Sequence, residues 1–399
     1  MNQVLEGIRI LDFSRYVAGP LGTMTLADMG AEVIRVEKPG GEDDRILGPH
    51  GPNKEIVPGI YLCYSRNRKG ITLNLRDERS HDLLIRLVKL SDVVVHNFTP
   101  DTKEAGILSY DALKEINPGI IVVAVSGFGQ TGPYRKRPCF DAVAQGISGV
   151  MSLTGFPDNP PTRAGAPVAD CATGVYTALG TMFALYHRQK TGQGQMVDVA
   201  MFDSAVSLVA GFITEYTASG RMRTPLGNQS YYNLSDTYKA KDGWIFINIL
   251  THSPWKRFAR MLDMEELVDD LRFRDDMARF ENRDFVHPFI ENWVKDKTVD
   301  ECVNILEQAH IPCSPVYNLD QVVADPQVKH RKALLDIDHP GIGRIKTAGM
   351  VTKLSETPGN TNEVKGHAPG VGENNKEIYC DLLGISRAQL ASYIRQGIV

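Results

Sequence analysis

The chain of 399 residues is 42% hydrophobic and 23% charged, the balance of a globular protein long enough for about two domains. Its formal net charge of -4 lacks the basic excess expected of a nucleic-acid binder. The six cysteines (Cys63, Cys139, Cys171, Cys302, Cys313 and Cys380) form no CxxC pair and show no metal-ligand spacing, so reduced thiols in a cytoplasm are expected and no metal site is implied.

The N-terminus runs straight into Val4-Leu5-Glu6-Gly7-Ile8-Arg9-Ile10-Leu11, which reads as the approach to a strand and not as a targeting segment. Apolar runs fall short of a membrane span. Ile8–Phe13 is the first predicted strand, Pro20–Met29 has helical spacing, and Glu32–Val36 is the next strand. Then come a strand at Ile71–Leu75, a helix around His81–Leu90, a strand at Asp92–His96, a helix from Ser109 to Ile116 and a strand at Ile120–Ser126. Strands of continuous Val and Ile separated by helices predict a mostly parallel sheet covered on both faces, a doubly wound Rossmann-like α/β layout.

No GxGxxG follows the first strand. The glycine-rich stretch Gly127-Phe128-Gly129-Gln130-Thr131-Gly132-Pro133 lacks the Lys-Ser/Thr ending of a phosphate loop. Asp170 to Arg188 reads as one long helix stopped at Thr191-Gly192-Gln193-Gly194-Gln195. Met196–Ala200 follows as a strand, and a second long helix runs from near Phe202 to before Gly220. Past residue 225 a hairpin over Tyr238–Leu250, turning at Lys241-Asp242-Gly243, and helices at Pro254–Leu262, Phe285–Val294 and Thr298–Gln308 predict a smaller α+β unit. After Pro326 turns and short strands return, ending in a helix at Ser386–Gln396. The expected division is therefore 1–220 for a large domain, 225–325 for a small one, and 326–399 as a return to the large domain.

Four segments carry chemical information together. They are Val17-Ala18-Gly19-Pro20 with the run Leu26 to Gly40; Asn67-Arg68-Lys69-Gly70 leading to His96-Asn97-Phe98; the Ser126 to Pro133 loop with Phe140-Asp141; and Pro167-Val168-Ala169-Asp170-Cys171-Ala172-Thr173-Gly174. In this order they resemble the class III CoA-transferases, the family that includes formyl-CoA, carnitine and 2-hydroxyacyl CoA-transferases. The resemblance covers nearly the whole chain, including Ala368-Pro369-Gly370-Val371-Gly372-Glu373.

The resemblance implies that Asp170 is the nucleophile, forming an aspartyl–acyl anhydride and then an aspartyl-CoA thioester. It implies no cofactor beyond coenzyme A, which is itself a substrate, and two ring-like subunits interlocked as a homodimer. The partners implied are an acyl-CoA and a small carboxylic acid, with neither nucleic acid nor membrane. Read from its residues alone, Asp170 is either a helix cap or a reactive carboxylate held ionised by the free N–H groups of the helix start. The Gly127–Gly132 loop is either an oxyanion donor or a plain tight turn.

Lys38, Arg45, Arg68, Lys69, Asn97 and Lys136 lie in or beside the matched segments and suit the phosphates of CoA, or are solvated charges. Val17, Ala18, Tyr61, Phe140 and Asp141 match acyl-pocket positions. Formyl-CoA enzymes of the family have a mid-chain glycine run and a glutamine near the first strand. Here Phe246–Ser253 has no glycine and Val17 replaces the glutamine, which suits a 2-hydroxy or a branched or aromatic monocarboxylate, with a dicarboxylate as the alternative. The rival reading is an α-methylacyl-CoA racemase, which needs a histidine where this chain has Phe140; a phenyl ring cannot exchange a proton. A non-enzymatic acyl-CoA binding protein is a third reading.

Overall fold

The computed structural model describes residues 3–51, 57–360 and 366–399. It divides into two compact units, one built from Met1–Val150, Ala164–Thr214 and Pro326–Val399, the other from Met151–Arg163 and Glu215–Asp325.

The first unit is organised on six strands: β1 (Arg9–Asp12), β2 (Glu32–Glu37), β3 (Arg68–Thr72), β4 (Val93–His96), β5 (Ile121–Ser126) and β6 (Met196–Ala200). All pairs are parallel, in the order β3-β2-β1-β4-β5-β6. The chain works outward from β1 to β3 and then starts again on the other side of β1 with β4. That reversal opens a crevice beyond the carboxyl ends of β1 and β4.

Successive strand residues point to opposite faces, so the Val and Ile runs feed two cores. Leu11, Ile34, Val94 and Val122 enter one, joined by Leu84 and Leu87 of the helix His81–Lys89 and by the chain's last residues, Ile398 and Val399. Ile10, Val33, Val95 and Val123 enter the other, against α1 (Ala18–Asp28) and the long helix that carries Asp170.

Strand β3 starts three residues earlier than the apolar run Ile71–Leu75 suggested. Its polar first residue, Arg68, is buried because Asp12 at the end of β1 neutralises it at 2.6 Å. The run ends sooner because Asn74 N–H turns away to the Ile398 carbonyl. β3 is also the sheet's edge, and edges left open invite pairing with other chains. The return segment covers it: Asn374 and Asn375 side chains accept the Gly70 and Thr72 N–H groups at 2.8 and 2.9 Å, and the Tyr379 hydroxyl donates to the Thr72 carbonyl.

The second unit has an antiparallel sheet of β7 (Leu234–Lys239), β8 (Trp244–Ile249) and β9 (Cys313–Pro315). The hairpin turns where Lys241-Asp242-Gly243 was expected to turn it. Trp255, Phe258, Phe273, Ile245 and Ile290 fill its core. Back in the first unit, β10 (Leu334–His339) and β11 (Gly343–Ala348) form a two-stranded antiparallel ribbon. The chain ends in the helix Arg387–Arg395.

Candidate active site

Three helices set the site: α1, α2 (Asp141–Ser148) and α3 (Val168–Thr191). α3 lies tight against α1. A Cβ placed on Gly174 would come within 3.0 Å of the Ala18 carbonyl oxygen and closer still to the Leu21 side chain, so only glycine permits this approach. The buried Thr173, Thr177 and Thr181 hydroxyls donate to carbonyls one turn earlier, leaving no buried hydroxyl unpaired along that face. By length and composition α3 could cross a bilayer; here its inner side is buried against the sheet.

Two cavities open along the carboxyl ends of the strands. The first, about 390 Å³, is lined by residues after β1, β2, β3 and β4, among them Phe13, Lys38, Arg76 and Phe98. The second, about 250 Å³, lies beyond β1, β4, β5 and β6 and is lined by Tyr16, Ala18, Asn97, Gly127, Cys139, Phe140 and Asp170. Arg15 borders both. Its backbone is clamped by Asn97, whose Oδ1 accepts the Arg15 N–H at 3.1 Å and whose Nδ2 donates to the Arg15 carbonyl at 2.9 Å. Its guanidinium sits 3.2 Å from the Glu42 carboxylate and 5.2 Å from the centre of the Phe98 ring.

Asp170 sits in the first turn of α3, and among the described residues no donor reaches its carboxylate. The helix-start N–H groups that were expected to hold it are taken by another residue. Asp141 Oδ1 accepts the N–H of Ala169 at 2.9 Å and of Asp170 at 3.3 Å. Asp141 Oδ2 in turn accepts from Gln145 Nε2 at 2.6 Å, and Gln145 Oε1 accepts the Ala164 N–H at 2.9 Å. Asp170 is therefore not the cap of its helix; Asp141 caps it from α2. Burial, and then the like charge of Asp141, raise the Asp170 carboxyl to about 7. The nearby thiols are pushed the same way by burial, Cys139 to about 11 and Cys171 upward, so neither offers a thiolate near neutral pH.

The sequence-predicted residues separate into groups. Ala18, Asn97, Phe140 and Asp170 meet in the second cavity, Lys38 lines the first, and Asp141 backs Asp170. Phe140, 61% exposed, meets Tyr16 edge-on with ring centres 5.6 Å apart. Val17 is buried and does not line the cavity, although its neighbours Tyr16 and Ala18 do.

Five others stand outside both cavities. Arg68 is held inside the fold, its two terminal nitrogens donating to Asp12 and the Pro20 carbonyl. Arg45 pairs with Glu37 and lies over the Tyr61 ring, both bordering a separate depression of about 300 Å³. Lys69 pairs with Glu32 and Glu377, and Lys136 with Asp101. In the glycine loop, the Gly129 and Gln130 N–H groups are already bound to Ser126 Oγ and Asp198 Oδ2, so they are not free oxyanion donors.

Arg15, Tyr16, Arg76 and Gln145 were not singled out from sequence. Arg15 and Tyr16 lie in the loop that follows β1, the position from which α/β sheets bind ligands. Gln145 stands four residues after Asp141, one helical turn along the same face.

A doubly wound parallel sheet with a desolvated carboxylate in its switch-point crevice defines an α/β protein built to bind and act on a ligand there. Residues 5–375 match the model of CoA-transferase family III, and the chain belongs to that family, a CoA-transferase acting between acyl-CoA and a carboxylic acid. It is 36% identical over 390 residues to the succinyl-CoA–D-citramalate CoA-transferase of Chloroflexus aurantiacus, spanning 97% of this chain and 96% of that one. It is 31% identical over 406 residues to the succinyl-CoA:glutarate CoA-transferase of Homo sapiens, spanning 100% and 91%. A CAIB/BAIF family protein from Brucella suis, known by crystal structure, is similar with a TM-score of 0.83 at 32% identity, covering 96% of this chain and all of that one.

Proposed function

We propose that this enzyme moves CoA from succinyl-CoA to a second dicarboxylic acid through covalent intermediates on Asp170. The observation that carries the mechanism is the Asp170 carboxylate itself: raised in basicity, facing a 250 Å³ cavity, and bound to no donor among the described residues. A carboxylate is a weak nucleophile when water and N–H groups stabilise it, and a stronger one when they are withheld.

In the first step an Asp170 oxygen attacks the thioester carbonyl, the C–S bond breaks, and CoA leaves as thiolate with an aspartyl–acyl anhydride behind it. The thiolate then attacks the Asp170 carbonyl carbon, releasing the first acid as its carboxylate and leaving aspartyl-CoA. The acceptor carboxylate attacks that thioester and expels thiolate again. Attack of this thiolate on the acyl carbonyl yields the new acyl-CoA and restores the Asp170 carboxylate. Charge and protons balance without a further reactant.

For CoA, the 390 Å³ cavity brings to one place Lys38 and Arg76, which would exchange their partners Asp43 and Glu104 for the nucleotide phosphates, and the chain of CoA would pass Arg15 to bring its sulfur to Asp170. For the acid, the support is Arg15, a cation beside the Asp170 cavity, together with the relatives' named substrates. Citramalate is a branched 2-hydroxy dicarboxylic acid. Its second carboxylate is one that a guanidinium can hold, whereas Val17, buried outside the cavity, no longer bears on the acid's shape. An interlocked homodimer belongs to the same reading. Val175, Leu179, Phe183 and Tyr186 form an exposed apolar stripe on the outer side of α3, a surface suited to a second copy.

The test is incubation with succinyl-CoA followed by mass spectrometry of the peptide bearing Asp170. A CoA adduct removable by hydroxylamine is expected, lost in Asp170→Ala together with transfer. Transfer that survives in Asp170→Ala overturns the mechanism. Deuterium washed into C2 of a 2-methylacyl-CoA with no acceptor present would favour the racemase reading instead.

A further inference from the structure

The first turn of a helix presents free N–H groups, which the side chain of the N-cap residue ordinarily takes, and the N-cap of α3 is Pro167, whose side chain accepts nothing. The Ala169 and Asp170 N–H groups point to Asp141, which approaches from the neighbouring helix α2. Asp141 is 8% exposed, and its other oxygen is held by Gln145, which is fully buried and also ties down the Ala164 N–H just ahead of α3. Four hydrogen bonds thus converge on two side chains that touch no part of the cavity themselves.

We propose that Asp141, held by Gln145, is the positioning residue of the Asp170 nucleophile: it occupies the helix-start donors so that the Asp170 carboxylate stays unpaired and aimed into the cavity. The inference rests on Asp170 being the nucleophile. Its chemical sense is that an N–H bond to the Asp170 carboxylate would lower the energy of the attacking oxygen before reaction and blunt it. A neutral cap such as serine would hold the helix equally well. A carboxylate cap does more, because its negative charge adds to burial in keeping Asp170 basic.

The other groups near Asp170 do not replace it. Tyr64, Cys139 and Cys171 are all held toward their neutral forms by burial, and Arg15, across the cavity, is paired with Glu42.

The experiment compares wild type, Asp141→Asn and Gln145→Met as full-length proteins, measuring the pH profile of CoA transfer from succinyl-CoA. Asn keeps an oxygen for the helix N–H groups but removes the charge. Its acidic limb is expected to move down by about one pH unit, and kcat above pH 8 to fall about tenfold with KM for succinyl-CoA unchanged. Gln145→Met leaves the Asp141 charge but frees its second oxygen. It is expected to lower kcat with the limb in place, and it keeps the idea testable if Asp141→Asn folds poorly. An unmoved limb and unchanged kcat in folded Asp141→Asn overturns the positioning role, as does a change confined to KM. Wild-type protein that forms no Asp170 adduct would overturn the nucleophile reading itself, a separate outcome from these.

Discussion

The Asp141 carboxylate accepts the backbone N–H of Asp170 at 3.3 Å, so the helix start that carries one aspartate is capped by the other from the neighbouring helix. Burial and then the like charge of Asp141 push the Asp170 carboxyl upward, and no donor among the described residues offsets them.

A pH dependence with a definite sign follows. Asp170 is raised to about 7 in the folded protein, chiefly by burial and then by Asp141, against about 3.9 in an unfolded chain. The proposed attack by Asp170 needs the ionised form, so kcat/KM is expected to rise with pH and reach half its plateau near 7. Between those two values the folded state binds more protons than the unfolded, so this group's contribution to stability falls as pH rises from about 4 to about 7. Asp170→Asn is therefore expected to be more stable than wild type at pH 8, by roughly 1–3 kcal/mol, and to lose that advantage at pH 4. Equal denaturation midpoints for the two proteins at pH 8 would contradict this.

Arg68 is expected to act on stability and not on CoA affinity. It pairs with Asp12 at 2.6 Å where both side chains are fully buried, and Asp12 also accepts from Ser14 and Thr23. Removing one partner strands the other charge, so Arg68→Met is expected to cost about 3–5 kcal/mol in urea unfolding. A stable Arg68→Met protein with a raised KM for CoA substrates would place Arg68 at the ligand after all.

Arg15 is expected to discriminate between acids. A charge-assisted bond to a carboxylate contributes about 1.5–3 kcal/mol, so Arg15→Met should raise KM for a dicarboxylate acceptor roughly 10- to 100-fold. A monocarboxylate of similar size should be affected much less. Steady-state kinetics with glutarate and butyrate as the two acceptors make the comparison, and equal losses would count against the assignment.

The outer stripe of α3 is expected to hold two copies together. Phe183 and Tyr186 are 64% and 60% exposed in the single chain. Sedimentation of wild type should give a dimer mass, and the double variant Phe183→Glu/Tyr186→Glu should dissociate or fail to assemble. A monomeric wild type would remove this part of the reading.

Much of this protein was determined locally and so could be read in one dimension. Continuous Val and Ile runs such as Val93–Val95 and Ile121–Val125 feed two cores at once, which demands a sheet covered on both faces. The glycines and small residues around Asp170, with the segments at Val17, Asn67 and Ser126, marked the family and its carboxylate. Strand β3 was displaced because a run of polar residues does not announce that its arginine will meet a buried partner 56 positions away.

The tertiary structure alone decided which neighbour each charge would have. Arg45, Arg68, Lys69 and Lys136 share the composition of a phosphate site, yet their partners Glu37, Asp12, Glu32 and Asp101 hold them elsewhere. In the same way the helix start at Asp170 was visible in sequence, but the residue that takes its N–H groups was not. Asp141 lies 29 residues upstream, and a hydrogen bond over that distance exists only once two helices have packed. Residue types set what Asp170 could do; its burial and the placement of Asp141 behind it set how basic it is, and the cavity it shares with Arg15 sets its surroundings.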